Sequence, residues 1–132
     1  MCGDLLRNWR DGAVKLFVTS ALLHLRRGHR ELFDEGDYRP HTAEGNLGPH
    51  LVAFARHHGD RRVVVIVPRL PASLVRPGVW PVGPRIWGEL SIKTGARSPL
   101  TNIFTGERVQ SPRGTIRVAD ALNAFPVAVL VN

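Results

Sequence analysis

Five β-branched residues in a row, Val63 to Val67, form the most apolar stretch of the chain and run into Pro68. A strand of this composition has no face suited to water, which predicts burial on both sides. Leu51 to Arg56 is a second strand-like run, and His57-His58-Gly59-Asp60 supplies the turn of an antiparallel hairpin at the centre of a sheet. Upstream the period lengthens. Val14, Phe17, Val18, Ala21, Leu22 and Leu25 recur at helical spacing, one apolar stripe over residues 11–27 that Leu16 and Leu23 widen. Asp11 is the expected N-cap, Arg26 and Arg27 favour the negative helix end, and Gly28 stops it. Arg30 to Phe33 adds a short helical turn.

Beyond Phe33 the pattern is of short strands divided by turn residues. Tyr38 to Glu44 reads as an edge strand because Pro40 interrupts it. Residues 71–83 are a Pro/Gly-rich loop with no period, from which Leu74 and Val75 drop into the core. Strands are predicted again over Arg85 to Ile92, Leu100 to Phe104, Thr115 to Val118 and Val127 to Val131, with a helical turn from Asp120 to Phe125. The fold class is therefore mainly β, an N-terminal amphipathic helix packed on an antiparallel β-sandwich.

At 132 residues the chain suits one core, and 43% hydrophobic with 22% charged residues is ordinary for a globular protein. No apolar run reaches membrane-span length and no signal-peptide core opens the sequence, so the cytoplasm is the expected compartment. The formal charge of +7 raises nucleic acid as a partner. The excess is nearly all arginine, densest at Arg26-Arg27…Arg30 and Arg61-Arg62, with no interleaved aromatics to stack bases. A nucleic-acid partner is disfavoured on that ground.

Candidate chemistry is sparse. The carboxylates fall in turns and at helix ends, Asp34, Glu35 and Asp37 being the densest group. His57 and His58 are adjacent, so an extended backbone sends them to opposite faces, and no Cys or acid stands at ligand spacing to complete a metal site. Cys2 has no histidine beside it, and Ser73, Ser91, Ser98 and Ser111 lack a nucleophile elbow. No cofactor is expected. Trp9, Trp80 and Trp87 are the aromatic candidates for stacking on a sugar ring; Trp80, in the Pro-rich loop, is expected to be most exposed, and Trp80 and Trp87 are taken as the sugar-stacking pair.

Several blocks together resemble the C-terminal region of maltooligosyltrehalose synthases, members of the α-amylase family. They are Trp9 to Leu16, Leu22 to Arg27, Glu31-Leu32-Phe33, Gly36-Asp37-Tyr38-Arg39-Pro40, His50 to Arg56, Val64 to Leu70, Phe104 to Glu107 and Ala121 to Leu130, in order and at similar spacing. The resemblance implies that residues 1–37 correspond to the last helical segment of a (β/α)₈ barrel and residues 38–132 to the all-β C-terminal domain beside it. Such enzymes convert the reducing-end linkage of a maltodextrin into a trehalose linkage. Their nucleophile, acid/base and assisting aspartate match no position here, so the chain by itself is expected to be non-catalytic. Its implied partner is the missing barrel, met by Val14, Phe17, Val18, Ala21, Leu22 and Leu25, or else a second copy docked through the same helix. A stand-alone module binding maltooligosaccharide is the alternative.

Overall fold

The computed structural model describes residues 2–43 and 45–132. Met1 and Glu44, the latter given above as the end of a strand, lie outside them. Three helices come first: α1 (Cys2–Arg7), α2 (Ala13–Gly28) and α3 (Arg30–Asp34). Asp11 does act at the start of α2, from one position further out than a true cap: its carboxylate accepts the Ala13 N–H at 2.8 Å while Gly12, at φ 81°, is the capping residue. Gly36 then lets the chain turn tightly into the first strand, since a Cβ there would collide with the Leu32 carbonyl.

Strands β1 (Asp37–His41), β2 (Leu51–His58) and β3 (Arg61–Pro68) form a meander. A short helix α4 (Pro84–Trp87) and strand β4 (Ser91–Ala96) follow, then β5 (Leu100–Asn102), β6 (Arg108–Val109), β7 (Gly114–Arg117), the turn of helix α5 (Val118–Ala121) and β8 (Ala128–Val131). The main sheet has six strands in the order β1-β2-β3-β8-β5-β6, and β4 pairs with β7 in a separate ribbon; every pairing is antiparallel. The fold is mainly β, with N-terminal helices on antiparallel sheets. No helix among the described residues is long and apolar enough to cross a membrane.

The expected strand over Arg85 to Ile92 is corrected. Gly83 at φ 82° feeds Pro84 into the first turn of α4, and Gly88 at φ 54° ends it, so only Ser91 onward is extended. Proline at a first helical position loses no hydrogen bond, whereas inside a strand it would remove one. The helical turn expected at 120–125 begins earlier, at Val118.

Strand β3 is covered on both faces, as its composition requires. Val64 and Ile66 point with Ala53, Ala55, Ala128 and Leu130 into one core, closed by the β4–β7 ribbon and by Trp87, Ile92, Ile116 and Leu122. Val63 and Val65 point the other way, with Val129 and Val131, toward the helices, Phe104 and Phe125. The ribbon closes tightly because Gly95 and Gly114 pass in contact; a Cβ on Gly114 would stand 2.9 Å from the Gly95 Cα. Asn102 is wholly buried between the layers, donating to the Ala121 carbonyl at 3.2 Å and accepting the Phe104 N–H at 3.0 Å.

Candidate functional site

Helix α2 lays its stripe on its own sheet. Val14, Phe17, Val18, Ala21 and Leu25 pack on the helix-side core, and the Phe17 ring meets Phe104 and Phe125, both at 6.0 Å between centroids. None of its residues is fully buried. Leu22, placed above in the partner-facing stripe, lies outside this packed set and is 39% exposed; Leu16 is 71% and Leu23 61% exposed. The cover is narrow for a geometric reason. A helix with its side chains is about 10–12 Å across, whereas six strands span roughly 24 Å.

The uncovered half of this face is apolar. Val52, Phe54 and Tyr38 share it by strand alternation, and the rings of Tyr38 and Phe54 lie 5.2 Å apart. Val67, opposite Val52 in register, then leads into a groove of about 510 Å³ between the ends of β3 and β8 and the Pro-rich loop. Pro68, Val75, Val79, Trp80, Pro81 and Val127 are among its walls, with Arg76 the charged residue. At its lip Leu70, more than half exposed, holds φ 54°, a conformation that bulky residues rarely adopt.

Trp87 is corrected as a stacking candidate, and Trp80 in its expected exposure. Trp87 is 0% exposed, because α4 turns its ring into the core and its Nε1–H donates to the Pro81 carbonyl at 2.8 Å. It has no face to offer a sugar. Trp80 is half-buried rather than the most exposed of the three: its Nε1–H donates to the Leu6 carbonyl at 3.3 Å, and Trp9 packs edge-on against it at 6.4 Å. Trp80 thus ties α1 to the groove. Trp9, at 47%, is the exposed tryptophan, with the Arg10 guanidinium 5.5 Å from its ring centre.

Charged groups gather at the other end of the helices. The two densest arginine groups of the sequence meet there, Arg27, Arg30 and Arg61 lining one hollow with His29 and His58. His58 approaches Glu31 at 3.9 Å and Glu35 at 3.7 Å, and Arg26 approaches Asp34 at 3.9 Å. These pairs are largely solvated and add little stability. His57, as alternation requires, faces away from His58, toward Asp37. Of the serines, Ser111 is buried and donates to the Ala96 and Ser98 carbonyls, a structural use of its hydroxyl.

The residues that sequence reasoning passed over are Tyr38, Val52 and Phe54. A signal for the last two was present: Leu51 to Arg56 alternates apolar side chains of both parities, so the side carrying Val52 and Phe54 also calls for cover. No protein-family model and no curated protein sequence matches this chain.

Proposed function

We propose that this chain is a non-catalytic supporting module of a maltooligosyltrehalose synthase-like protein, an α-amylase-type C-terminal β-domain that braces a catalytic barrel. The observation that carries this reading is the half-covered helix-side face. Helix α2, with Leu6 of α1 and Leu32 of α3 packed on the same core, leaves an apolar strip from Tyr38 and Phe54 to the Trp80 groove, and Leu16 and Leu23 of α2 also face outward. Each medium apolar side chain moved from water into a contact gains about 1.5–3 kcal/mol. A tract of this kind marks an interaction surface. The sequence blocks that resemble the synthase family supply the identity of the occupant, and the barrel's own carboxylates would then supply the chemistry.

The test joins the chain to a synthase barrel from which the C-terminal domain has been removed. Light scattering should report a one-to-one complex, and maltopentaose conversion should rise when the chain is added. V52E and V79E should each weaken the complex at least tenfold without unfolding the chain. If wild-type chain neither binds nor activates the barrel, the reading fails.

One observation favours a second reading, a stand-alone carbohydrate-binding module: an aromatic side chain, Trp80, does line a groove. Its walls are poor in the polar groups that orient a sugar. Saturable quenching of tryptophan fluorescence by maltoheptaose, abolished in W80A, would establish that module instead.

A further inference from the structure

The opposite face of the same sheet carries a polar corner that the docking reading does not use. Strand alternation puts Asp37, Arg39 and His41 of β1, His57 of β2 and Arg62 of β3 on the side turned away from the helices. Register sets His57 between Asp37 and Arg62, and Ala55 opposite Arg39. Ala55 itself is wholly buried. Lys93, on the nearby β4, alternates to the outside of its ribbon and does not join them.

Asp37 is the carboxylate of this corner, and it pairs with Arg39 and His57. Asp37 accepts from Arg39 Nε at 2.8 Å and from the His57 backbone N–H at 3.1 Å, and its Oδ1 lies 3.5 Å from His57 Nδ1. Arg39 Nη2 is 2.7 Å from the same carboxylate. That uses up Asp37. His41 Nε2, His57 Nε2 and Arg62 Nη1 are buried and have no hydrogen-bond partner among the described residues. Native proteins seldom leave several such groups unpaired in one place, because each forfeits its hydration with nothing in return.

The electrostatics agree with the geometry. Burial, then the Arg62 and Arg39 guanidinium groups, push the His41 and His57 imidazoles below their ordinary value. Burial and Arg39 lower Arg62 as well. Arg62 and Arg39 repel one another across the alanine floor, and an acceptor with negative charge placed between them would turn that repulsion into attraction.

We propose that Arg62, Arg39, His41 and His57 form a binding site for a tetrahedral oxyanion of the phosphate or sulfate class. A guanidinium presents parallel N–H groups that match two oxygens of such an ion, and a neutral imidazole donates one more. Arg39, whose side chain is 58% exposed, is the wall that swings to admit it, keeping its bond to Asp37 through Nε. The site is independent of barrel docking, so loss of one leaves the other standing.

Thermal unfolding of the full chain is followed with inorganic phosphate, sulfate or chloride at matched ionic strength, and with glucose 6-phosphate. Phosphate and sulfate should raise Tm saturably and chloride should not, with the rise lost in R62Q and R39Q. A lower half-saturating concentration for glucose 6-phosphate than for inorganic phosphate identifies a phosphomonoester as the occupant, and the reverse order identifies the free ion. The imidazole signals of His41 and His57 in nitrogen–proton spectra of the wild-type chain provide a readout that needs no variant, and they should move with phosphate along the same saturation curve. Equal shifts with chloride, unmoved imidazole signals, or a phosphate response retained in both arginine variants would overturn the site.

Discussion

On the face turned toward the β4–β7 ribbon, Ala55, Val64, Ile66, Ala128 and Leu130 are sealed from water. On the face turned toward the helices, α2 contributes no fully buried residue. Both faces belong to the same strands, and on β3 and β8 both carry apolar side chains, so composition there does not account for the contrast. What differs is the cover. The ribbon side is closed by two strands, two short helices and a large indole, whereas the other side has one long helix, two short ones that each bury a single leucine, and a groove. A finished face makes the domain stable, and a half-finished face makes it adhesive.

The comparison can be broken most sharply at Trp87. Trp87→Ala removes the largest buried side chain of the sealed core and the Nε1–H bond to Pro81, and should cost ~3–5 kcal/mol. Chemical denaturation would read this as a large drop in midpoint, and a loss under 1 kcal/mol would mean that the sealed core is looser than described. Asn102→Ala leaves the Ala121 carbonyl and the Phe104 N–H without their buried partner, with an expected loss of about 1–3 kcal/mol in the same assay. Phe17→Ala attacks the helix side, where the ring is only half-buried, and should cost about 2 kcal/mol, less than the Trp87 variant. Were Phe17→Ala the more damaging of the two, the ordering of the faces would be reversed.

Protonation sharpens the contrast more gently. His41 and His57 are held below their ordinary value in the fold, so below pH ~6.5 the unfolded chain binds protons that the native chain resists. Their contribution is intact above that pH and declines as pH falls from about 7 toward 5. Tm measured across that window should decrease on acidification, and R62Q, which removes the guanidinium charge that holds both imidazoles down alongside burial, should flatten the slope. Asp37, lowered chiefly by its bond to Arg39, titrates further down and leaves this window unaffected. The smallest effect belongs to Leu23→Glu. The residue is 61% exposed, so stability should change by no more than ~0.5 kcal/mol, with melting curves superimposing on wild type.

Much of the fold was legible because hydrophobic period reports burial directly. The α2 stripe was legible from its spacing, and the hairpin of β2 and β3 and the closing strand β8 from β-branching, short length and flanking turn residues. Residues 84–90 did not yield to the same reasoning. Ile86 and Trp87 look like strand residues, and the backbone there is decided by Gly83, Pro84 and Gly88, whose turn chemistry overrides apolar content. The separate pairing of β4 with β7 rests on two glycines meeting, a contact between residues 19 apart in sequence that no local pattern announces. At the candidate sites the loss was greater. Trp80 and Trp87 differ only by short flanking turns in sequence, yet one lines a groove and the other is enclosed. His41 stands 16 residues before His57 in sequence, and strand register brings it to the face that His57 and Arg62 share.

Strand β8, the last of the strands in sequence, lies between β3 and β5 in the middle of the main sheet. During synthesis the β2–β3 hairpin therefore emerges with one side of its valine-rich strand unpaired, and it stays so until residues 128–131 leave the ribosome. A bare edge of that composition invites pairing with other nascent chains. Yield in the cell should depend on chaperone supply and growth temperature more than the finished molecule's stability would suggest.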